Sequence, residues 1–107
     1  MVYIREAHAI DGDSPLGGGD MPIVEEPLTL TEREGIARVC MVRLELEPIP
    51  ALIDTIDNAV EGAYAAAPDR LYLIGRDGRV AYRGGPGPFG FRPDELDDAI
   101  AAELARN

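Results

Sequence analysis

The sequence predicts a mixed α/β fold in a single domain over residues 1–107. Short apolar runs that are typical of buried strands alternate with helical patterns, and an Asp-Gly turn joins two of the runs. The chain is long enough for one modest hydrophobic core. Hydrophobic residues make up 46% of it and charged residues 28%, which indicates a folded protein rather than a disordered one.

The first predicted strand covers residues 2–7 and runs directly into ionisable groups. Its apolar part contains Tyr3 among β-branched residues, types that fit a buried pleated surface. Glu6 and His8, the only histidine of the chain, follow at its carboxyl end. Because α/β proteins bind ligands outside the carboxyl ends of parallel strands, we expect a functional site here.

Residues 11–30 form a long irregular segment. Glycine and proline interrupt regular structure throughout it. A loop of about 20 residues in a small domain is more often functional than idle, so we treat it as an insertion. Its aspartates do not have the spacing of a calcium loop, and no metal site is predicted from Asp11, Asp13 and Asp20.

The first helix is predicted from a capping box and from apolar periodicity. Thr31 and Glu34 have the spacing that satisfies free helix N–H groups, so the helix is expected from residue 31 to about 45. Its inner stripe is predicted to be Ile36, Cys40 and Leu44. Within that stripe Cys40 is interpreted as a small buried side chain rather than a reactive thiol.

A short strand at 51–54 and a helix at about 58–66 follow. Asp54 and Asp57 lie between them, where capping and turn roles are commoner than metal binding. The helix is expected to bury Val60 and Tyr64.

The last third of the chain predicts a β-hairpin and a terminal helix. Apolar runs at 71–74 and 80–82 are joined by Arg76-Asp77-Gly78, a typical hairpin turn. Pro93 suits the first position of the final helix. The inner face of that helix is predicted to be Leu96, Ile100 and Leu104.

This order of elements matches the later part of a thioredoxin-like fold. Pro68 takes the place where that fold commonly carries a cis-proline beside its redox centre. Strands 2–7 and 51–54 are expected to form one pair and the hairpin 71–83 another. The fold is then incomplete, because the central strand that bears the nucleophile, and its helix, are missing between the two pairs. The inner edges would invite pairing with another chain, so a homodimer is a further expectation.

Charge and cysteine content exclude several classes of function. The net charge is −10, which argues against a nucleic-acid or anionic-membrane surface. One cysteine allows no intrachain disulfide. No signal-like or membrane-spanning apolar run is present, which predicts a cytoplasmic location.

The sequence resembles the iodothyronine deiodinases and their bacterial relatives. The segments that carry the resemblance are VYIREAH at 2–8, LIDTIDN at 52–58, YAAAPDRLYLI at 64–74 and VAYRGGPGP at 80–88. The segment 11–30 is similar to the insertion of that family. The resemblance implies a thioredoxin-like oxidoreductase that removes iodine reductively from an iodinated or otherwise halogenated phenol such as thyroxine, with a thiol reductant and no cofactor. It also implies that Tyr3, Glu6 and His8 belong to the active site. By their chemistry His8 can donate a proton or hydrogen bond to the substrate, Glu6 can orient His8 or relay a proton, and Tyr3 can add a phenolic donor.

The family's nucleophile, selenocysteine or cysteine, lies in a strand and helix that precede the segment matched by residue 2 onward. We therefore expect Met1 to be an internal methionine of a longer, truncated protein and the 107 residues alone to be inactive. Pro27 and Ile49 also stand where animal relatives have a histidine and a cysteine. Two alternatives remain open: a non-enzymatic thioredoxin-like module that binds a partner or dimerises, and a peroxiredoxin-like thiol redox protein.

Overall fold

The computed structural model describes residues 1–12 and 23–106, and these form two compact units, Met1–Tyr64 and Ala65–Asn107. The elements of the first unit are β1 (Val2–Tyr3), α1 (Leu30–Arg43), β2 (Leu52–Ile53) and α2 (Ala59–Tyr64). Those of the second are β3 (Tyr72–Ile74), β4 (Val80–Arg83) and α3 (Pro93–Ala105). The mixed α/β class and the predicted order of elements are confirmed.

In the first unit β1 and β2 form a parallel pair. Val2 is opposite Leu52 and Tyr3 is opposite Ile53. The N–H of Asp54 donates to the carbonyl of Tyr3 at 2.9 Å. The predicted pairing is confirmed, but both strands are shorter than the predicted 2–7 and 51–54, because Asp54 uses its side chain to turn the chain away from the ladder.

The cap of helix α1 lies two residues before the predicted one, at Thr29 rather than Thr31. The Thr29 hydroxyl accepts a hydrogen bond from the N–H of Glu32 at 3.1 Å, and the Glu32 carboxylate accepts one from the N–H of Leu28 at 2.8 Å. The box predicted at Thr31 and Glu34 is therefore wrong. The spacing Thr-x-x-Glu occurs twice here, and the earlier copy forms the cap.

The buried face of α1 also differs from the predicted stripe. Arg33 and Ala37 are its buried residues, whereas Ile36 and Cys40 are half-buried. Leu44 lies at the end of the helix and is 48% exposed. The inner face is displaced toward Arg33 because that side chain hydrogen-bonds to the segment between β2 and α2.

Helix α2 buries less than expected. Val60 is only half-buried, and Tyr64 lies exposed at the end of the helix.

The two ends of the insertion are held together where the structure describes them. The N–H of Ile10 donates to the carbonyl of Val24, and the N–H of Glu26 donates to the Asp11 carboxylate, both at 2.7 Å. Ala9, beside this contact, is almost fully buried. Asp11 is thus engaged in a backbone contact, while Asp13 and Asp20 lie outside the described residues.

The hairpin of the second unit is confirmed. Strands β3 and β4 are antiparallel, with a bulge beyond Leu73. Gly78 has a φ of 78°, a conformation that glycine adopts without steric cost. The Asp77 carboxylate accepts the N–H of Arg79 at 3.0 Å and closes the turn.

Helix α3 packs against both strands of this hairpin. Its half-buried residues are Leu96, Ala99 and Glu103, whereas Leu104 is 64% exposed and Ile100 is also exposed. The predicted inner face is therefore correct only at Leu96. The helix is rotated because the Glu103 carboxylate accepts the N–H of Arg76 at 3.1 Å, which holds this face over the hairpin turn.

None of the helices within residues 1–12 and 23–106 has both the length and the apolar character that crossing a bilayer requires.

Candidate active site

Tyr3 is the last residue of β1, and its side chain reaches α1. The phenol oxygen lies 3.9 Å from the Cys40 sulfur, and either atom has a hydrogen to donate. Tyr3 is half-buried, as expected for the inner side of a strand under a helix. The structure therefore brings the single cysteine of the chain to a predicted site residue, which the sequence pattern did not show.

Glu6 lies three residues beyond β1 and is half-buried. Its Oε1 atom is buried and has no hydrogen-bond partner among the described residues. Burial raises the pKa of Glu6, the negative charge of Glu26 raises it further, and the positive charges of Arg33 and His8 lower it. A carboxyl whose pKa is raised toward neutrality is suited to exchange protons in catalysis.

His8 is exposed and follows Glu6 by two residues. The two predicted partners are close enough for the charge of His8 to lower the pKa of the Glu6 carboxyl. Glu6 and His8 therefore lie in one stretch just beyond β1, whereas the contact that the structure shows for Tyr3 is the one with Cys40.

The environment of Cys40 favours the protonated thiol over the thiolate. Burial raises its pKa, and the negative charge of Glu6 raises it further. Because the thiolate is the reactive form of cysteine, a raised pKa makes Cys40 a poor nucleophile at neutral pH. The prediction of a small buried side chain rather than a reactive thiol agrees with the raised pKa, but Cys40 is only half-buried.

Two buried charged residues support the site, and sequence reasoning assigned neither to it. Arg33 and Asp54 are each only 1% exposed. The Asp54 carboxylate accepts the N–H groups of Thr55, Val60 and Glu61 at 2.8 to 2.9 Å, so it caps α2 as predicted.

The pKa of Asp54 reflects opposing causes. Burial acts to raise it, but the three backbone hydrogen bonds, helped by the charge of Arg33, lower it overall. Asp57 is exposed and accepts a short hydrogen bond from the Thr55 hydroxyl, as expected for a turn residue.

One signal in the sequence could have identified Arg33. It is the charged member of the face formed by positions 33, 37 and 40 of α1. A cation on an otherwise small and apolar helical face is typical of a buried, hydrogen-bonded side chain.

Pro68 belongs to the second unit, where it is exposed and follows a cis peptide bond from Ala67. In the same unit Arg70 donates to the carbonyls of Gly84 at 2.6 Å and Ala65 at 3.1 Å. Arg70 therefore ties the segment around Pro68 to the glycine-rich stretch after β4. The placement of Pro68 beside a redox centre stays a prediction.

Comparison with known proteins decides the family. The sequence profile of the iodothyronine deiodinases matches residues 1–103. The chain belongs to the iodothyronine deiodinase family. Similar relatives include the thyroxine 5-deiodinase of Homo sapiens, 38% identical over 90% of this chain, and the type I iodothyronine deiodinase of Xenopus laevis, 32% identical over 90% of it. The type II enzyme of Petromyzon marinus is 35% identical over 98% of the chain.

The chain spans about a third of the length of these deiodinases: 30%, 36% and 35% respectively. The family resemblance of the four segments in the sequence is thus confirmed.

Proposed function

We propose that this chain is the part of a deiodinase-type oxidoreductase that supplies the proton-transferring residues. The observation that carries the proposal is the stretch Tyr3–Glu6–His8 at the end of β1, with a half-buried carboxyl whose pKa is raised. Family membership and the names of the relatives, which act on thyroxine or iodothyronines, support an iodinated phenol as substrate. Thyroxine itself is the first compound to test.

The reaction replaces iodine on an aromatic ring with hydrogen. It takes two electrons and a proton per iodine, so an aryl iodide and two thiols give the deiodinated ring, a disulfide and hydrogen iodide. We assign delivery of the proton to His8, with Glu6 as the group that exchanges protons with it and Tyr3 as a further phenolic donor. The electrons come from the thiol reductant.

Cys40 is unsuited to attack on iodine. It is the only cysteine in the sequence, and burial raises its pKa. We therefore propose that the nucleophile, selenocysteine or cysteine, is supplied by a segment that is not among the 107 residues, and that these residues alone do not turn over substrate. The DNA upstream of the Met1 codon tests this: it should encode a strand and helix with an in-frame UGA or cysteine codon.

We also propose that the chain has a thioredoxin-like fold without its central nucleophile-bearing strand and helix. The parallel pair of the first unit and the antiparallel hairpin with its helix in the second are the pieces that such a fold combines. A cytoplasmic location stays part of the proposal.

The decisive experiment measures iodide release from an iodinated phenol with dithiothreitol as reductant. The 107-residue chain should release none, and the protein extended by the upstream strand and helix should be active. In the extended protein His8→Gln and Glu6→Gln should each lower kcat/KM by about 100-fold or more. Glu25→Gln, an exposed carboxyl in the same unit, is the matched control and should be neutral.

Activity equal to the parent in both site variants would overturn the assignment of the proton to this stretch. Turnover of a peroxide in preference to the iodinated phenol would favour the peroxiredoxin-like alternative.

A second candidate function is self-association, and the sheets favour it. Among the described residues each sheet has only two strands, and unpaired strand edges offer backbone groups to another chain. Analytical ultracentrifugation of the 107-residue chain tests this candidate. A well-folded dimer supports a module that self-associates, and a folded monomer excludes self-association.

A further inference from the structure

Arg33 is a cation in the first turns of α1 with almost no exposed surface. Fully buried arginines are rare unless their N–H groups and their charge are matched. Its terminal nitrogens donate to the carbonyls of Thr55 at 2.7 Å and Asp54 at 3.3 Å, and to the side-chain oxygen of Asn58 at 2.8 Å. All three acceptors are uncharged groups, so these bonds fix the side chain without neutralising it.

Two carboxylates belong to the segments around Arg33, and their situations differ. The guanidinium bonds to residues 54 and 55 just beyond β2, and β1, which pairs with β2 in parallel, ends three residues before Glu6. Arg33 and Glu6 therefore lie at the same end of the strand pair. Asp54 already accepts three backbone N–H groups, so its hydrogen bonding is complete without the guanidinium. Glu6 is the opposite case, since its buried Oε1 has no partner among the described residues. The buried Nε of Arg33 likewise has none there. The first unit thus contains a buried acceptor, Glu6 Oε1, and a buried donor of opposite charge, Arg33 Nε, and neither has a hydrogen-bond partner among the described residues.

We propose that Arg33 is a positioning residue for Glu6: anchored on the 54–58 turn, its guanidinium orients the Glu6 carboxyl at the end of β1 and stabilises its charged form. The role of Glu6 in proton transfer rests on the proposed function, but the coupling of Arg33 to Glu6 does not.

The chemistry of the side chain explains why arginine is used here. A planar guanidinium offers five N–H donors in a fixed fork, so it can hold the turn with its terminal nitrogens and still present Nε. Lysine keeps the charge but not the fork. Arg33→Lys should therefore preserve the effect on Glu6 and weaken the turn, whereas Arg33→Met should lose both.

The first test is a carbon-13 NMR titration of the Glu6 side-chain carboxyl in the full 107-residue chain. Arg33→Met should move the midpoint of Glu6 upward, and Arg33→Lys should move it less. The matched control is Arg38→Met, which removes an exposed cation of the same helix and should leave the midpoint unchanged. The other charges that act on Glu6, Glu26 and His8, are intact in every variant, as is the neighbouring Cys40.

An unchanged Glu6 midpoint in a folded Arg33→Met chain overturns the proposal, and so does an equal movement in Arg38→Met.

The second test needs no substitution at Arg33 and serves if Arg33→Met does not fold. The Arg33 Nε–H is followed by nitrogen-15 NMR across the pH range in the wild-type chain. Its shift should titrate with the same midpoint as the Glu6 carboxyl, and Glu6→Gln should abolish that titration, whereas Glu25→Gln should not. A signal that is insensitive to both Glu6 and pH would overturn the proposal. Neither test measures deiodination, so each can succeed or fail independently of the proposed function.

Discussion

Each of the two units is stabilised internally by a different kind of interaction. In Met1–Tyr64 the buried residues include two charged side chains, Arg33 and Asp54, that hold backbone groups of the β2–α2 connection. In Ala65–Asn107 the stabilising elements are the tight turn of the hairpin and the helix α3 packed against it. The ion pairs of α3 lie at the surface of this unit. The candidate catalytic groups are in the first unit, where burial and neighbouring charges shift pKa values.

The largest effect should come from Asp54→Ala. The change removes one carboxylate and leaves three N–H groups unsatisfied, so we expect a loss of about 3 kcal/mol in the free energy of unfolding. Urea denaturation followed by circular dichroism measures it. Asp57→Ala removes an exposed carboxylate of the same turn and should change stability by less than about 1 kcal/mol. Equal losses in the two variants would show that burial of charge does not secure the first unit.

The same residue gives a pH dependence with a defined sign. Because the pKa of Asp54 is lowered in the folded chain, its stabilising contribution is present above its unfolded pKa and is lost as pH falls through the folded pKa. Asp54→Ala should therefore lose less stability on acidification than the wild type. Acid unfolding curves of the two proteins test this, and parallel curves would contradict it.

In the second unit the corresponding test is a backbone one. Gly78→Ala places a side chain at a positive φ, which should cost about 1–2 kcal/mol. Gly35→Ala is the control, since a Cβ there meets nothing within 4 Å and alanine favours a helix interior, with a gain of up to about 1 kcal/mol. Thermal unfolding should therefore show opposite signs for the two substitutions. If both substitutions changed the stability in the same direction, the turn at Gly78 would not be what stabilises the hairpin.

A smaller effect separates the two possible caps of α1. Thr29→Ala should cost about 1 kcal/mol, because the hydroxyl accepts the Glu32 N–H. Thr31→Ala, which alters the box predicted from sequence, should change stability by no more than about 0.5 kcal/mol. Chemical denaturation of both variants distinguishes them, and the reverse order would restore the predicted helix start.

The smallest expected effect is on the reactivity of Cys40. Glu6 is the second cause of the raised thiol pKa, after burial, so Glu6→Gln should lower that pKa and increase the rate of alkylation at mildly alkaline pH. Glu34→Gln changes an exposed carboxylate of α1 that pairs with Arg38 and is the control. Because the chain has one cysteine, iodoacetamide labelling followed by mass spectrometry reports on it alone. Identical alkylation rates in the wild type, Glu6→Gln and Glu34→Gln would show that Glu6 does not influence the Cys40 thiol.

The sequence predicted the second unit better than the first. The hairpin and α3 depend on local signals, an Asp-Gly turn and a proline at the first helical position, and both appear where expected. The rotation of α3 was missed because the hydrogen bond from Arg76 to Glu103 joins residues far apart in sequence. The start of α1 was missed because two capping patterns overlap and local spacing does not choose between them.

For the site, the resemblance supplied Tyr3, Glu6 and His8, and the strand pattern placed them together. The contact between Tyr3 and Cys40 could not be read from periodicity, which tells which face of a helix is apolar but not which strand lies beneath it. Arg33 was missed because charged residues usually lie at the surface, and its acceptors are more than 20 positions away.

The closed neck of the insertion, formed by Ile10 with Val24 and by Asp11 with Glu26, has a consequence for engineering. A segment fastened at its base adds little entropic penalty as it grows, since the cost of closing a loop rises only with the logarithm of its length. Affinity tags, fluorophores or foreign peptides can therefore be grafted between the two sides of this neck while β1 and the cap of α1 keep their geometry. Such grafts would give a reporter for the stretch with the candidate catalytic residues and would leave its own side chains unaltered.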